Sequence, residues 1–111
     1  DKKTRSIVRV GVAYGSPVKL VADLIMKATD EHPETMDDPK PVVFFEDFGD
    51  NALIFDSYFW IDAAGERDLR KVRSEVRFRI AELFDEAGIV IAFPQRDVHI
   101  DGELKIIEKD S

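Results

Sequence analysis

At 111 residues, with 44% apolar content and eight Phe, the chain has the material for one domain around one core. The lack of Cys excludes structural disulfides and thiolate zinc sites, and a net charge of −7 argues against non-specific binding to nucleic-acid phosphates. No apolar run approaches the roughly 20 residues that span a bilayer; no charged-then-apolar leader opens the chain, and Asp1 in place of Met is expected of a trimmed or excised piece.

Residues 1–5 read as a frayed tail or the end of a linker. From Ser6 to Tyr14, Val8, Val10, Val12 and Tyr14 alternate with Ile7, Arg9, Gly11 and Ala13, the pattern of a half-buried strand. Gly15 breaks it. Ser16 and Pro17 then predict a helix start, with Ser16 accepting from orphan amides. Val18, Val21, Leu24, Ile25 and Ala28 share one helical face. His32 and Pro33 close the helix, where a charge on His32 complements the dipole.

Residues 33–41 hold three Pro, which fit neither a helix interior nor a central ladder, so they read as a loop. Strands are predicted over Val42 to Phe48 and Ala52 to Asp62, joined by the turn Gly49-Asp50-Asn51. In the second of them Leu53, Phe55, Phe59 and Ile61 face one way. Ile54, Asp56, Tyr58, Trp60 and Asp62 face the other. A second helix follows from about Arg67 to Ala87, with an apolar stripe of Leu69, Val72, Val76, Ile80, Leu83 and Phe84. Glu66–Arg70 and Glu75–Arg79 are four-apart pairs on it, and Gly88 is placed to end it in a left-handed conformation. Ile89 to Phe93 reads as a short apolar strand that Pro94 stops. Asp97 to Ile100 and Leu104 to Ile107 are further extended candidates.

This order, β-α-β-β-α-β with an extra C-terminal strand, predicts an α+β fold of the ferredoxin-like split βαβ kind. Two helices are expected on one face of a largely antiparallel sheet. The expected division is a linker end at 1–5, the domain at 6–100 and a tail at 101–111. Charge is uneven: nine acids against one Lys from Glu31 to Asp62, then six basic against two acidic residues from Arg67 to Arg79.

Candidate chemistry is thin. The Gly11–Gly15 turn sits between strand and helix, where phosphate loops occur, but it lacks both G-x-G-x-x-G and a Lys-Ser/Thr ending. The acids Asp37, Asp38, Glu46, Asp47, Asp50 and Asp56 follow no calcium-loop spacing. His32 and His99 are in no zinc spacing, Ser57 and Ser74 sit in no nucleophile elbow, and the basic second helix lacks the aromatic signature of a single-strand reader beside Tyr58, Phe59 and Trp60. No catalytic residue, metal or cofactor is expected. Tyr58 and Trp60, aromatics among acids on a non-core strand face, mark a contact surface instead. The apolar tail residues Leu104, Ile106 and Ile107 invite pairing with another chain.

Four stretches carry a resemblance to a known family. They are Val10-Gly11-Val12-Ala13-Tyr14-Gly15-Ser16, Asp38-Pro39-Lys40-Pro41-Val42-Val43, Phe48-Gly49-Asp50-Asn51-Ala52-Leu53, and the run from Ala87 and Gly88 to His99 that contains Phe93-Pro94-Gln95-Arg96-Asp97. With their spacing, over residues 6–100, the chain resembles the last domain of small-conductance mechanosensitive channels. Pro17 departs mildly from that family, which often has an acid there, and Ala92 stands where Pro is common. The resemblance implies a non-catalytic domain whose copies, seven in the full channel, form a hollow cage on the cytoplasmic side of the inner membrane. It implies a link to the membrane only through an upstream pore region, and the acidic balance and missing reader signature leave no nucleic-acid partner expected. It also implies that the segment after the Pro-Gln motif supplies strands to a small barrel. A small-ligand regulatory domain of the same fold class, with a cleft next to Gly11–Ser16, is the alternative.

Overall fold

The computed structural model describes residues 3–62 and 68–92. Five elements follow one another: β1 (Lys3–Val12), α1 (Val18–Asp30), β2 (Val42–Phe48), β3 (Leu53–Asp62) and α2 (Leu69–Ala87). The strands form one antiparallel sheet in the order β1-β3-β2. The fold is thus α+β, with a three-stranded antiparallel sheet and two helices. The expectations for Phe93, Pro94, Gln95, Arg96, Asp97, His99, Leu104, Ile106 and Ile107, and for the Glu66–Arg70 pair, involve residues outside the described ones.

Alternation decides which face is covered. Val8, Val10 and Val12 of β1 and Leu53, Phe55, Phe59 and Ile61 of β3 point to one side and are buried there. α1 lies over β2 and β3, and α2 lies over β1 and beside α1. Val21, Ile25 and Ala28 from α1 meet Val72, Val76, Ile80, Leu83 and Phe84 from α2 over the sheet in one core. Fully burying one such aliphatic or aromatic side chain is worth about 1.5–3 kcal/mol, so this core holds the fold without a covalent staple.

One polar pair sits inside that core. Thr29 donates to the Ile25 carbonyl at 2.8 Å, and its hydroxyl lies 2.8 Å from the Ser57 hydroxyl. Both side chains are buried, and the mutual bond spares them the cost of an unmade one.

Several boundaries differ from the sequence reading. β1 starts at Lys3 rather than Ser6, because β3 runs on to Asp62 and offers Lys3, Thr4 and Arg5 partners in Asp62, Ile61 and Trp60. It ends at Val12, so Tyr14 lies in the turn and is exposed instead of joining the buried valines. Ser16 does not cap α1. Pro17 occupies the N-cap position, and the Ser16 hydroxyl donates backward to the Ala13 carbonyl at 2.6 Å. Asp68 caps α2, accepting from the backbone N–H groups of Arg70 at 3.0 Å and Lys71 at 3.3 Å.

The expected Glu75–Arg79 pair is replaced by cross-helix partners. Glu75 lies 2.7 Å from His32 Nε2, and Arg79 donates to Glu31, the residue that caps the end of α1, at 2.5 Å, and also to Glu82 of its own helix at 3.0 Å. Burial is the largest single influence on the Glu31 carboxyl and would push it up; the hydrogen bonds and charges of Arg79 and Lys27 together outweigh it and hold the group below its usual range. His32 is likewise no free end-of-helix charge. Its Nδ1 accepts from the Glu34 N–H at 3.0 Å, which leaves Nε2 to donate to Glu75 in the neutral ring.

The strand expected over Ile89 to Phe93 runs past the described residues, which end at Ala92. Among the described residues it makes one antiparallel bridge, Val12 with Ile91, on the side of β1 away from β3. Ala13 N–H donates to the Val90 carbonyl at 2.9 Å and Ala92 N–H to the Gly11 carbonyl at 3.0 Å. The chain reaches that place through Gly88, which ends α2 with φ +74 and open space where a Cβ would be. Gly88→Ala is therefore expected to cost about 1 kcal/mol through backbone strain alone, read as a lower urea midpoint with unchanged slope.

Candidate functional site on the uncovered face of the sheet

Both helices occupy one face of the sheet, and among the described residues no element covers the other. The register builds that open face row by row. Arg5 stands opposite Trp60, Ile7 opposite Tyr58, Arg9 opposite Asp56 and Gly11 opposite Ile54. On the far side of β3, Val42 stands opposite Tyr58 and Phe44 opposite Asp56. The two aromatics expected to mark a contact surface, Tyr58 and Trp60, thus share one open face.

Tyr58 is already engaged by its own chain. Phe44 meets it edge to face with centroids 5.8 Å apart, and the Arg5 guanidinium lies 5.2 Å from its ring centre. Its hydroxyl donates to Glu46 at 3.3 Å. Partial burial, followed by the charges of Glu46 and Asp56, pushes the phenol above its ordinary range. Trp60 is half-buried, and its carbonyl accepts from the Met36 N–H at 2.9 Å, which ties the Pro-bearing loop to the end of β3.

Asp56 lies at the centre of the face and is only 1% exposed. Arg9 grips it with two parallel bonds, Nε to Oδ1 at 2.9 Å and Nη2 to Oδ2 at 2.8 Å. This is the planar fork-on-carboxylate arrangement that a Lys cannot reproduce. The Arg9 hydrogen bonds outweigh the burial that opposes ionisation and hold the carboxyl below its usual range. Asp56 in turn raises the Arg9 guanidinium well above its ordinary value. With both oxygens engaged by Arg9 and its ionised form favoured, the carboxylate is no general base poised near neutrality. The sequence reading missed the pair. The available signal was an Asp amid an apolar strand and an Arg in mid-strand, each out of phase with its core-facing neighbours.

Of the described residues that carried the family resemblance, Gly11, Tyr14, Gly15, Phe48 and Gly49 gather at the hairpin end of the sheet, whereas Pro41 precedes the other end of β2. Gly11 sits where a Cβ would come 3.2 Å from the Ala52 Cβ, a tight contact that a larger residue could make only if the hairpin gave way by a few tenths of an ångström. Gly15 holds φ +93 in the turn into α1. Tyr14 donates its hydroxyl to the Gly49 carbonyl, joining that turn to the hairpin, where Gly49 N–H closes on the Ala52 carbonyl at 2.8 Å. Pro41 is buried before β2, Phe48 is exposed beside the hairpin, and Gly88 caps α2. A shallow hollow of about 300 Å³ lies here, lined by Gly11, Gly49–Ala52, Ile54 and Ala92. Of the Gly11–Ser16 segment, where a ligand cleft was the alternative, only Gly11 reaches it.

These structural roles agree with what the chain is similar to. Residues 7–91 match the family described as "Mechanosensitive ion channel MscS, C-terminal". An MscS-family protein of Haemophilus influenzae is 41% identical over 97 residues, covering 87% of this chain and 9% of the relative. The mechanosensitive channel MscK of Escherichia coli is 38% identical over 103 residues, 93% of this chain and again 9% of the relative. The crystal structure of Helicobacter pylori MscS in its closed state superposes with a TM-score of 0.73 at 28% identity, over 93% of this chain and 40% of that one. This chain therefore spans a small part of each of these relatives. It belongs to the MscS family of mechanosensitive ion channels and corresponds to that family's C-terminal domain.

Proposed function

We propose that this chain is the vestibule and assembly domain of a mechanosensitive channel that releases ions and osmolytes on hypo-osmotic stress. Seven copies pack side by side on the cytoplasmic side of the inner membrane, and their charged surfaces bias what passes between them. The observation that carries this reading is the family match over residues 7–91, which takes in most of β1 and all of the four later elements. The state of Asp56 supports a non-catalytic role, since Arg9 occupies its carboxylate. No helix among the described residues is long and apolar enough to cross a membrane, so attachment to the bilayer falls to an upstream pore region.

The finer architecture belongs to the same proposal. The Val12–Ile91 bridge supports a fourth strand around Ile91 beside β1, which would complete the ferredoxin-like order with that strand next to β1, then β3, then β2. Leu104, Ile106 and Ile107 then supply a strand shared between copies, and Trp60 contributes from the open face.

The test uses the full-length parent protein, expressed in cells stripped of their own mechanosensitive channels. Survival of an osmotic downshock and a tension-activated conductance in membrane patches are expected. Deleting residues 102–111 is expected to lower both the oligomer yield and survival. A parent without tension-activated conductance sinks the channel reading, and a deletion that leaves assembly and survival intact sinks the role of the tail.

A further inference from the structure

The charge asymmetry of the sequence becomes spatial in the fold, and the assembly reading does not say which faces of neighbouring copies meet. Among the described residues β2 is an edge strand, paired with β3 alone. Phe44, Phe45 and Phe48 are all exposed on it, Phe48 at 71%. Phe45 and Phe48 pack edge to face with centroids 5.0 Å apart, so the apolar rim is continuous. Exposed acids surround it: Glu46 and Asp47 in the strand and Asp50 in the turn. An edge that is open, aromatic and ladder-free is a surface that proteins ordinarily cover.

The opposite edge carries the matching pattern. α2 lies over β1, two strands away from β2. Arg70, Arg73 and Arg77 recur at three- and four-residue spacing and so share a stripe. Arg73 reaches the Ser6 hydroxyl of β1 at 3.2 Å, and Arg77 lines a groove with Arg9, Val10 and Ile91. These contacts fix the stripe on the β1 side of the helix. The side chains of Arg70 and Arg77 are exposed and make no ion pair with the described residues. Beside them Phe78 points straight out, 71% exposed.

We propose that copies of this chain join head to tail, the acidic Phe48 edge of one against the basic Phe78 face of the next. The inference rests on the assembly reading and names the surfaces it uses. A second copy is the occupant because the two patches complement each other in sign and share an aromatic centre, yet lie on opposite sides of one molecule. Two-fold pairing would set acid against acid or base against base, at a cost. Heterologous contacts of this kind close into a ring when the rotation from one copy to the next divides a full turn.

The chain has no Cys, which makes crosslinking a clean readout. In the full-length parent, with any cysteines elsewhere replaced, Phe48→Cys and Phe78→Cys together are expected to give a ladder of covalent oligomers under mild oxidation. Either substitution alone is expected to give none. Adding Arg70→Asp and Arg77→Asp is expected to lower ladder formation by about tenfold. Adding Asp47→Arg and Asp50→Arg as well restores it. All six sites are exposed, so folding is expected to survive, as the urea midpoint checks. No ladder from a parent that remains oligomeric overturns this inference alone. So do equal ladders from each single Cys, or a second charge reversal that fails to rescue the first. A parent that is monomeric overturns the assembly reading and this one with it.

Discussion

Replacing Phe59 by Ala is expected to lower the unfolding free energy of the chain by about 3–5 kcal/mol. Phe59 is fully buried at the middle of β3, on the face that both helices cover. The central position of β3, paired on both sides, lets neither β1 nor β2 move in to fill the space. The cavity therefore persists, and its cost adds to the lost transfer energy. A domain of this size is stable by only about 5–15 kcal/mol, so the variant is expected to approach the unfolding threshold at physiological temperature. Phe48→Ala is the control. It removes the same ring from an exposed edge, and the expected change stays within about 0.5 kcal/mol. Equal losses for the two variants in urea denaturation would show that the covered face has been assigned to the wrong side of the sheet.

Elements with a clean period were legible in the sequence. β2 has the predicted bounds, Val42 and Phe48. β3 alternates as read, with Leu53, Phe55, Phe59 and Ile61 inward, and all five core positions of α2 from Val72 to Phe84 fall on the predicted stripe. Gly88 and Gly15 adopt the positive φ that their places at a helix end and a tight turn require. The losses arise where a local rule meets a distant partner. Glu75 and Arg79 have suitable spacing for a pair, but each finds a better-placed partner across the α1–α2 contact. Ser16 has the right chemistry for a cap, but the helix begins one position too late for it. Ser57 and Thr29 bond because two elements far apart in sequence cross there, and no periodicity announces such a meeting.

The candidate surface divides the same way. Tyr58 and Trp60 were legible as a pair because strand alternation alone puts them on one face. Their chemistry was not, since it depends on register: Arg9 meets Asp56, and Tyr58 gains Arg5 and Phe44, only when β1 and β2 lock onto β3 at one offset. The bulge between Phe45 and Asp47 shifts that offset by one residue and brings Phe48 to the same side as Phe45. The hairpin's aromatic rim is a product of that bulge, which nothing in the local sequence marks.

The Arg9–Asp56 pair gives the second large effect, and its sign depends on which partner is removed. In the native chain the folded-state carboxyl is held below its unfolded value of about 3.9. Its contribution to stability is then full above that value and is lost as pH falls through the folded one. Asp56→Asn leaves a buried amide in place of a carboxylate with two charge-assisted bonds, and a loss of about 1–3 kcal/mol is expected near neutrality. Because the titrating group is gone, the contribution of this site becomes flat in pH. Arg9→Met does something different. It strands an ionised carboxylate in a place with almost no solvent, and with the cation gone the burial that opposes ionisation becomes the largest remaining influence, ahead of the Glu46 hydrogen bond that favours it. The folded-state carboxyl then rises above its unfolded value, and the linkage reverses: Arg9→Met is expected to be relatively most stable in acid and to lose stability as pH rises through the displaced value. At neutral pH it is expected to be less stable than Asp56→Asn, and the double variant Arg9→Met/Asp56→Asn to recover part of the difference. Urea midpoints of the four proteins from pH 3 to pH 8 provide the check. Parallel curves for Arg9→Met and the unaltered chain would mean that water, rather than Arg9, stabilises the Asp56 charge.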